Sequence, residues 1–231
     1  MSIPSNHCIR KNHWRRYQEN PELCVDFILL FSKLQAYQCN KYDGISMEIV
    51  FVRHGTPDYT LADQRQMTQL EKDYAPLTRD CIPFICSQSQ KAVFAGADLM
   101  ISSPYTRALQ TAEILNRPLG LPLFVEHDLR EWRADLAGGY IDLSERDRRW
   151  QEYRSGIKSG GTQPDALYES AVDLRSRALK VLQRYKDCKK VIVVAHFNVL
   201  ESVLGYQKDG IGCGEFKVFS LQAVVSVQDT V

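Results

Sequence analysis

The sequence predicts an α/β protein, a three-layer α/β/α sandwich with a mostly parallel central sheet. Two uninterrupted apolar runs, Ile49–Val52 and Val191–Ala195, have the length and composition of strands that are buried on both faces. A segment over 165–185 places apolar residues at helical spacing just before the second run. Because strands and helices alternate along the chain, crossovers that join parallel strands are expected.

The other elements complete this pattern. Leu99–Ile101 is predicted to be a second strand, and a helix follows it, with Ser102 or Ser103 as its cap and Pro104 in its first turn. The run over 121–125 is a third extended segment, and a further helix starts at Val199. The last predicted strand-like runs cover 216–221 and 223–227.

Two polar segments lie between these elements. Residues 58–98 carry few ordering signals, and residues 133–163 are charged and interrupted by glycines. We expect the second segment to form a lid or insertion over the sheet edge, because loops of this kind are natural places for substrate specificity. Both segments are expected to form the walls of a pocket.

The first 46 residues differ from the rest of the chain, so we divide it into 1–46 and 47–231. The longer part is predicted to be one self-sufficient domain. The shorter part is either an N-terminal extension, with a possible helix over 25–34, or the product of a start codon placed too far upstream.

Composition limits the partners. The formal charge is only +1, which argues against nucleic acid as the main partner, since such binding depends on neutralising phosphates. No apolar run reaches the roughly 18 residues of a membrane span. The seven cysteines contain no Cys-x-x-Cys spacing, so we expect no metal site. No signal peptide is visible, so a cytoplasmic location is expected. Composition carries no signal for an oligomeric state.

Three predicted strands end at residues whose side chains can bind a ligand or react with it. Arg53 and His54 follow the first strand, Arg107 lies in the opening turn after the second, and His196 ends the strand over 191–195. The carboxyl ends of parallel strands meet at one edge of a sheet, where ligands bind. Two guanidinium groups and an imidazole suit the oxygens of a phosphoryl group. A neutral imidazole can attack phosphorus, and Glu131 can supply a proton to the leaving oxygen.

These segments resemble the histidine phosphatase superfamily, also called phosphoglycerate mutase-like. The resemblance covers about residues 47–221 and rests on an Arg-His-Gly tripeptide, a Ser-Ser-Pro-x-x-Arg-Ala-x-Gln-Thr-Ala block, a Leu-x-Glu segment, a weaker Glu-Ser before a helical Arg, and an apolar strand that ends in His. In this chain they are Arg53–Gly55, Ser102–Ala112, Leu129–Glu131, Glu169-Ser170 with Arg177, and Val191–His196.

The resemblance implies a phosphoglycerate mutase-like fold and a role for each matching residue. His54 is implied to be the nucleophile, with Glu131 as the general acid toward the leaving group. Arg53, Arg107 and His196 are implied to bind the transferring phosphoryl group. We also assign Thr56 and Asn198, which follow the two histidine motifs, to substrate binding. The mechanism that this implies uses no metal and no other cofactor.

The chain departs from the family pattern at three places. Phe197 stands where the family usually has Gly, and is expected to narrow the pocket or to shift the start of the following helix. Cys81 replaces another Gly, and Thr56–Tyr59 replaces the residues typical of mutases. These departures favour a phosphomonoesterase that acts on a small phosphorylated metabolite. The alternatives are a phosphoglycerate mutase-type phosphotransferase and a non-catalytic phosphate-binding or scaffold protein.

Overall fold

The computed structural model describes residues 46–159 and 167–225. Its strands and helices, in chain order, are β1 Glu48–Arg53, α1 Thr60–Gln64, α2 Gln69–Asp73, α3 Ile82–Gln88, β2 Leu99–Ser102, α4 Thr106–Asn116, β3 Leu123–Val125, α5 Leu143–Ser159, α6 Ala171–Arg184, β4 Lys190–Ala195, α7 Phe197–Leu204, β5 Phe216–Ser220 and α8 Leu221–Val225. Short 3-10 turns cover Arg79–Cys81, Ala92–Phe94 and His127–Leu129. The extension predicted over 1–46 lies outside the described residues, except for Ser46.

The five strands form one sheet in the order β3-β2-β4-β1-β5. The first four run parallel, and β5 pairs antiparallel with β1 at one edge. Phe51 lies opposite Val193 in the central β1–β4 pair. The predicted mostly parallel sheet is therefore confirmed, with one antiparallel strand at its edge.

Both faces of the central strands are buried. Alternate side chains such as Val50 and Ile192 point to one face, where they pack with residues of α3 and α4. Ile49 and Val193 point to the other face and are fully buried there as well. Burial on both faces explains why β1 and β4 read as continuous apolar runs instead of alternating ones.

Two element predictions are wrong in detail. The helix predicted over 165–185 begins only at Ala171, where Ser170 caps it by accepting a hydrogen bond from the Asp173 amide; residues 160–166 lie outside the described part. The run over 223–227 was predicted as a strand, but Leu221–Val225 is a helix. The segment expected to be a lid contains the 17-residue helix α5, in which only Arg149 and Tyr153 are buried. A helix with so few buried residues carries almost no apolar periodicity.

The strand order positions the residues predicted for the site. Because β4 lies between β1 and β2, the residues that follow its carboxyl end are flanked by those that follow the other two strands. The backbone continues this arrangement beyond the strands: the His54 amide donates to the Ala195 carbonyl, and the Ser103 amide donates to the Val194 carbonyl. No helix among the described residues is long and apolar enough to cross a membrane.

Candidate active site

His54 lies directly after β1 and is only 4% exposed. Its Nδ1 is 2.6 Å from the carbonyl oxygen of Gly55. A carbonyl oxygen only accepts hydrogen bonds, so Nδ1 carries the proton and Nε2 carries the lone pair of the neutral ring. Nε2 faces Arg107, whose Nε is 3.4 Å away. The geometry therefore presents an unprotonated nitrogen to the centre of the site.

The surroundings of His54 keep its imidazole neutral. The pKa of His54 is lowered from 6.5 to about 3, chiefly by burial and also by the nearby charges of Arg107 and Arg53. The hydrogen bond to the Gly55 carbonyl acts in the opposite direction but is outweighed. A neutral imidazole with an unprotonated nitrogen is the form that can act as a nucleophile, and in this structure that nitrogen, Nε2, accepts a hydrogen bond from Arg107 Nε.

The turn after His54 depends on Gly55. The Gly55 amide donates to the Thr111 hydroxyl, at 2.9 Å, which holds the turn against α4. A Cβ atom at this position would lie 2.6 Å from the Ile85 side chain and 3.0 Å from Cys81 Sγ. A side chain at position 55 would therefore force the ends of the Ile85 and Cys81 side chains to shift.

Gly55→Ala is expected to destabilise the protein by about 1–3 kcal/mol, because overpacking forces buried groups to move. Urea denaturation followed by circular dichroism would measure this change. Gly139→Ala is the matched control, since the nearest atom to its new Cβ is at an ordinary 3.8 Å. Equal stability of the two variants would contradict the close packing described for Gly55.

Arg53 and Arg107 bring two positive charges to the site. Arg107 lies in the first turn of α4, is 3% exposed, and has the rings of Tyr105 and Tyr59 at 4.9 and 5.9 Å from its Cζ. Arg53 donates from Nη1 to the Ile211 carbonyl at 2.7 Å, while its buried Nε has no partner among the described residues. Neither guanidinium forms an ion pair with a carboxylate in the described part of the chain. Buried charge without a counter-ion is costly, so this arrangement suits an anion that arrives from solution.

His196 closes the other side of the site. It precedes α7, is completely buried, and has its ring 5.0 Å from that of His54. Its Nε2 lies 2.7 Å from the Ser103 hydroxyl, and its Nδ1 has no partner within the described residues. Burial and the neighbouring Arg107 charge hold the pKa of His196 well below its ordinary value. The ring is therefore neutral, and its Nδ1 has unused hydrogen-bonding capacity.

The prediction that Ser102 or Ser103 caps the next helix is wrong. Tyr105 occupies the N-cap position of α4, without a side-chain cap bond. The Ser103 hydroxyl accepts from the Tyr105 amide at 3.3 Å and bonds His196. The Ser102 hydroxyl donates to the Ser103 carbonyl. Ser103 therefore orients an imidazole of the site instead of ending a helix.

Glu131 is half-buried, and the charges of Arg107 and Arg53 influence its carboxyl group. The Trp132 amide donates to its Oε1 at 2.8 Å. Burial raises the pKa of Glu131, although that bond and the charges of Arg107 and Arg53 oppose the rise. A carboxyl group with a raised pKa is protonated over a wider pH range, as a general acid requires.

A buried ion pair fixes the backbone around Glu131. Arg177 bonds both carboxylate oxygens of Glu169, at 2.6 and 2.8 Å. The same guanidinium donates to the carbonyls of Asp128, Arg130 and Glu131. Three anchors within four residues leave the segment little freedom, so the Glu169–Arg177 pair positions Glu131.

Thr56 and Asn198 are placed differently from the charged residues. Thr56 is exposed, and its carbonyl accepts from the Thr78 amide at 2.9 Å. Asn198 is 7% exposed, and its Oδ1 accepts from the Trp150 indole at 3.1 Å, which joins α7 to α5. Their assignment to substrate binding stays a prediction.

Sequence reasoning missed three residues beside Arg107. Tyr59 and Tyr105 both place their rings within 6 Å of its Cζ. The Tyr105 hydroxyl bonds the carboxylate of Asp73, a residue of α2 that is 8% exposed and whose pKa burial raises. The segment from 58 to 98 has no motif that signals this contact, because the contact arises from long-range packing. Among the described residues, no group of three or more His, Cys, Asp or Glu side chains is arranged to hold a metal ion.

Comparisons with known proteins identify the family of this chain. A family model described as "Histidine phosphatase superfamily (branch 1)" matches residues 49–228. The uncharacterized phosphatase PhoE of Bacillus subtilis (strain 168) is 30% identical over 170 residues, which span 68% of this chain and 75% of that protein.

Solved structures share the fold. A mycobacterial glucosyl-3-phosphoglycerate phosphatase superposes with a TM-score of 0.58 at 20% identity, covering 76% of this chain and 90% of the other. Bacillus stearothermophilus YhfR gives a TM-score of 0.57 at 19% identity, covering 75% and 90%. At this identity the likeness concerns the fold alone.

Proposed function

Because this chain belongs to the histidine phosphatase superfamily, we propose that it is a phosphomonoesterase that acts through a phosphohistidine on a small phosphorylated metabolite. One observation carries the proposal: the lone pair of His54 Nε2 faces Arg107 Nε, while Arg53 and Arg107 have no carboxylate partner among the described residues. The description of the PhoE relative as a phosphatase also supports it.

The first step transfers the phosphoryl group to the protein. Nε2 of His54 attacks phosphorus, and a nitrogen–phosphorus bond forms as the ester oxygen–phosphorus bond breaks. Arg53, Arg107 and His196 bind the phosphoryl oxygens, whose charge redistributes in the transition state. Glu131 gives its proton to the leaving oxygen, so the alcohol departs neutral and Glu131 becomes a carboxylate.

The second step returns the protein to its starting state. The Glu131 carboxylate takes a proton from a water molecule as the water oxygen attacks phosphorus. The nitrogen–phosphorus bond breaks, inorganic phosphate leaves, and His54 is again neutral with Nδ1 protonated. Both steps use the same carboxyl group in opposite protonation states, so one acid–base residue is sufficient.

The first test is hydrolysis of p-nitrophenyl phosphate by purified protein, with and without EDTA. We expect hydrolysis that EDTA leaves unchanged and that vanadate, a mimic of pentavalent phosphorus, inhibits. Loss of activity in EDTA would contradict the proposed independence from metal. An inactive protein would contradict a general phosphatase, and assays for mutase activity and for phosphate binding would then distinguish the two alternative functions.

The pH dependence of kcat/KM provides a second test, because it reports the free protein's essential acid and base. The His54 pKa of about 3 predicts no loss of activity as pH falls through 6.5, the ordinary value of histidine. For an alkyl phosphate, whose leaving oxygen needs the proton of Glu131 in the first step, kcat/KM is expected to fall as pH rises through the raised pKa of Glu131. A loss of kcat/KM on acidification near pH 6.5, in protein that stays folded by circular dichroism, would contradict the buried neutral His54.

A further inference from the structure

Phe197 occupies an unusual place beside the proposed phosphoryl site. It is the first residue of α7, immediately after His196, and its ring lies 5.6 Å from Cζ of Arg53. The ring also lies 5.4 Å from Cζ of Arg154, a residue of α5. The helix thus starts two residues earlier than the sequence predicted, and the ring lies within 6 Å of both a site arginine and a second arginine outside the site.

The loop beyond the ring is shaped to receive it. Gly210 has a φ of +64°, and a Cβ there would lie 3.2 Å from Cε2 of Phe197. The next carbonyl along, that of Ile211, accepts the 2.7 Å hydrogen bond from Arg53 Nη1. Ring and loop therefore contact each other, and both contact the same guanidinium.

The second arginine anchors this side of the ring. Arg154 bonds both oxygens of Glu201, at 2.7 and 3.2 Å, and Glu201 is completely buried. Arg154 also donates to the Gln207 carbonyl at 3.2 Å. Arg154 therefore has its counter-ion, whereas the partners of the Arg53 guanidinium among the described residues are a carbonyl and a ring.

This difference in partners affects the charge that Arg53 presents to a phosphoryl group. A carboxylate would orient Arg53 but would also cancel the charge that a phosphoryl group needs. An aromatic face attracts a guanidinium through its quadrupole and leaves the full charge in place. Arg53 directly precedes His54 in the chain, and its charge lowers the pKa of His54, Glu131 and His196.

We propose that Phe197 is a positioning residue that holds the Arg53 guanidinium in the site without neutralising it. The inference rests on the proposed function, since Arg53 is the residue that binds the phosphoryl group there. Phe197→Leu keeps an apolar side chain but removes the ring face, so a loss of roughly 5- to 30-fold in kcat/KM for p-nitrophenyl phosphate is expected.

A double-mutant cycle tests the coupling. In protein that already carries Arg53→Ala, Phe197→Leu is expected to change kcat/KM little, because the group that it positions is gone. Phe124→Leu is the matched control: this half-buried phenylalanine lies on β3 and packs near Tyr185. It is expected to leave kcat/KM unchanged. Additive losses from Arg53→Ala and Phe197→Leu would overturn the proposal.

A second readout separates this inference from the proposed activity. The affinity of the wild type and the same variants for inorganic phosphate is measured by isothermal titration calorimetry. A wild type that hydrolyses nothing can still bind phosphate. In that case, a roughly 5- to 30-fold weaker phosphate affinity in Phe197→Leu, the range expected of a ring–guanidinium contact, supports the positioning role. The weakening should be absent in the Arg53→Ala background. A wild type that binds no phosphate, or unchanged affinity in Phe197→Leu, overturns it.

Discussion

His54→Ala is expected to abolish the hydrolysis of p-nitrophenyl phosphate, with a loss of at least about 10⁴-fold in kcat. The variant retains Arg53, Arg107 and His196, so a phosphate ester can still bind. It has no nitrogen to attack phosphorus, however, and the proposed covalent route is closed. Steady-state assays would measure the loss, and the binding of inorganic phosphate would show that the rest of the site is intact.

The control for this variant is His127→Ala, because His127 is exposed on a 3-10 turn away from the buried cluster. It should keep wild-type activity. A wild-type protein quenched under alkaline conditions during turnover should carry a phosphoryl group on His54, detectable by mass spectrometry. Near-normal turnover by His54→Ala, or phosphorylation at another residue, would refute the assignment of the nucleophile.

The parts of the fold that the sequence predicted well are those with a local signature. Ile49–Val52 and Val191–Ala195 are apolar at every position because their strands are buried on both faces. Helix α5 has no such signature, since its exposed arginines and glutamates pair along its own surface, as Arg148 does with Glu145. Stabilisation of that kind produces no apolar stripe that a periodicity argument can detect.

The residues of the candidate site also differ in whether a local sequence signal predicts them. Arg53, Arg107 and His196 were found because each stands at or just after the carboxyl end of a strand, and such ends share one edge of the sheet. Asp73 and Tyr59 were not found, because their proximity to Arg107 and Tyr105 arises from long-range packing that no local pattern in 58–98 signals. The position of the Phe197 ring depends on the left-handed backbone of Gly210, which a single sequence does not reveal.

The second large effect is expected for Glu131→Gln, and its size should depend on the leaving group. An alkyl phosphate expels a basic alkoxide that needs a proton, so a loss of about 10²–10⁴-fold in kcat/KM is expected. The p-nitrophenolate ion is stable without a proton, so the loss in kcat/KM for p-nitrophenyl phosphate should be much smaller. Glu126→Gln is the control, since that half-buried carboxylate bonds Arg184 and Tyr185.

The same variant should separate the two chemical steps. With p-nitrophenyl phosphate, phosphorylation of His54 does not depend strongly on Glu131, whereas the attack of water needs its carboxylate as a base. Rapid mixing should therefore show a burst of about one p-nitrophenolate per site, followed by slow turnover while the phosphorylated protein accumulates. Equal losses for the alkyl and nitrophenyl esters, without a burst, would mean that Glu131 acts through its position or charge and not through its proton.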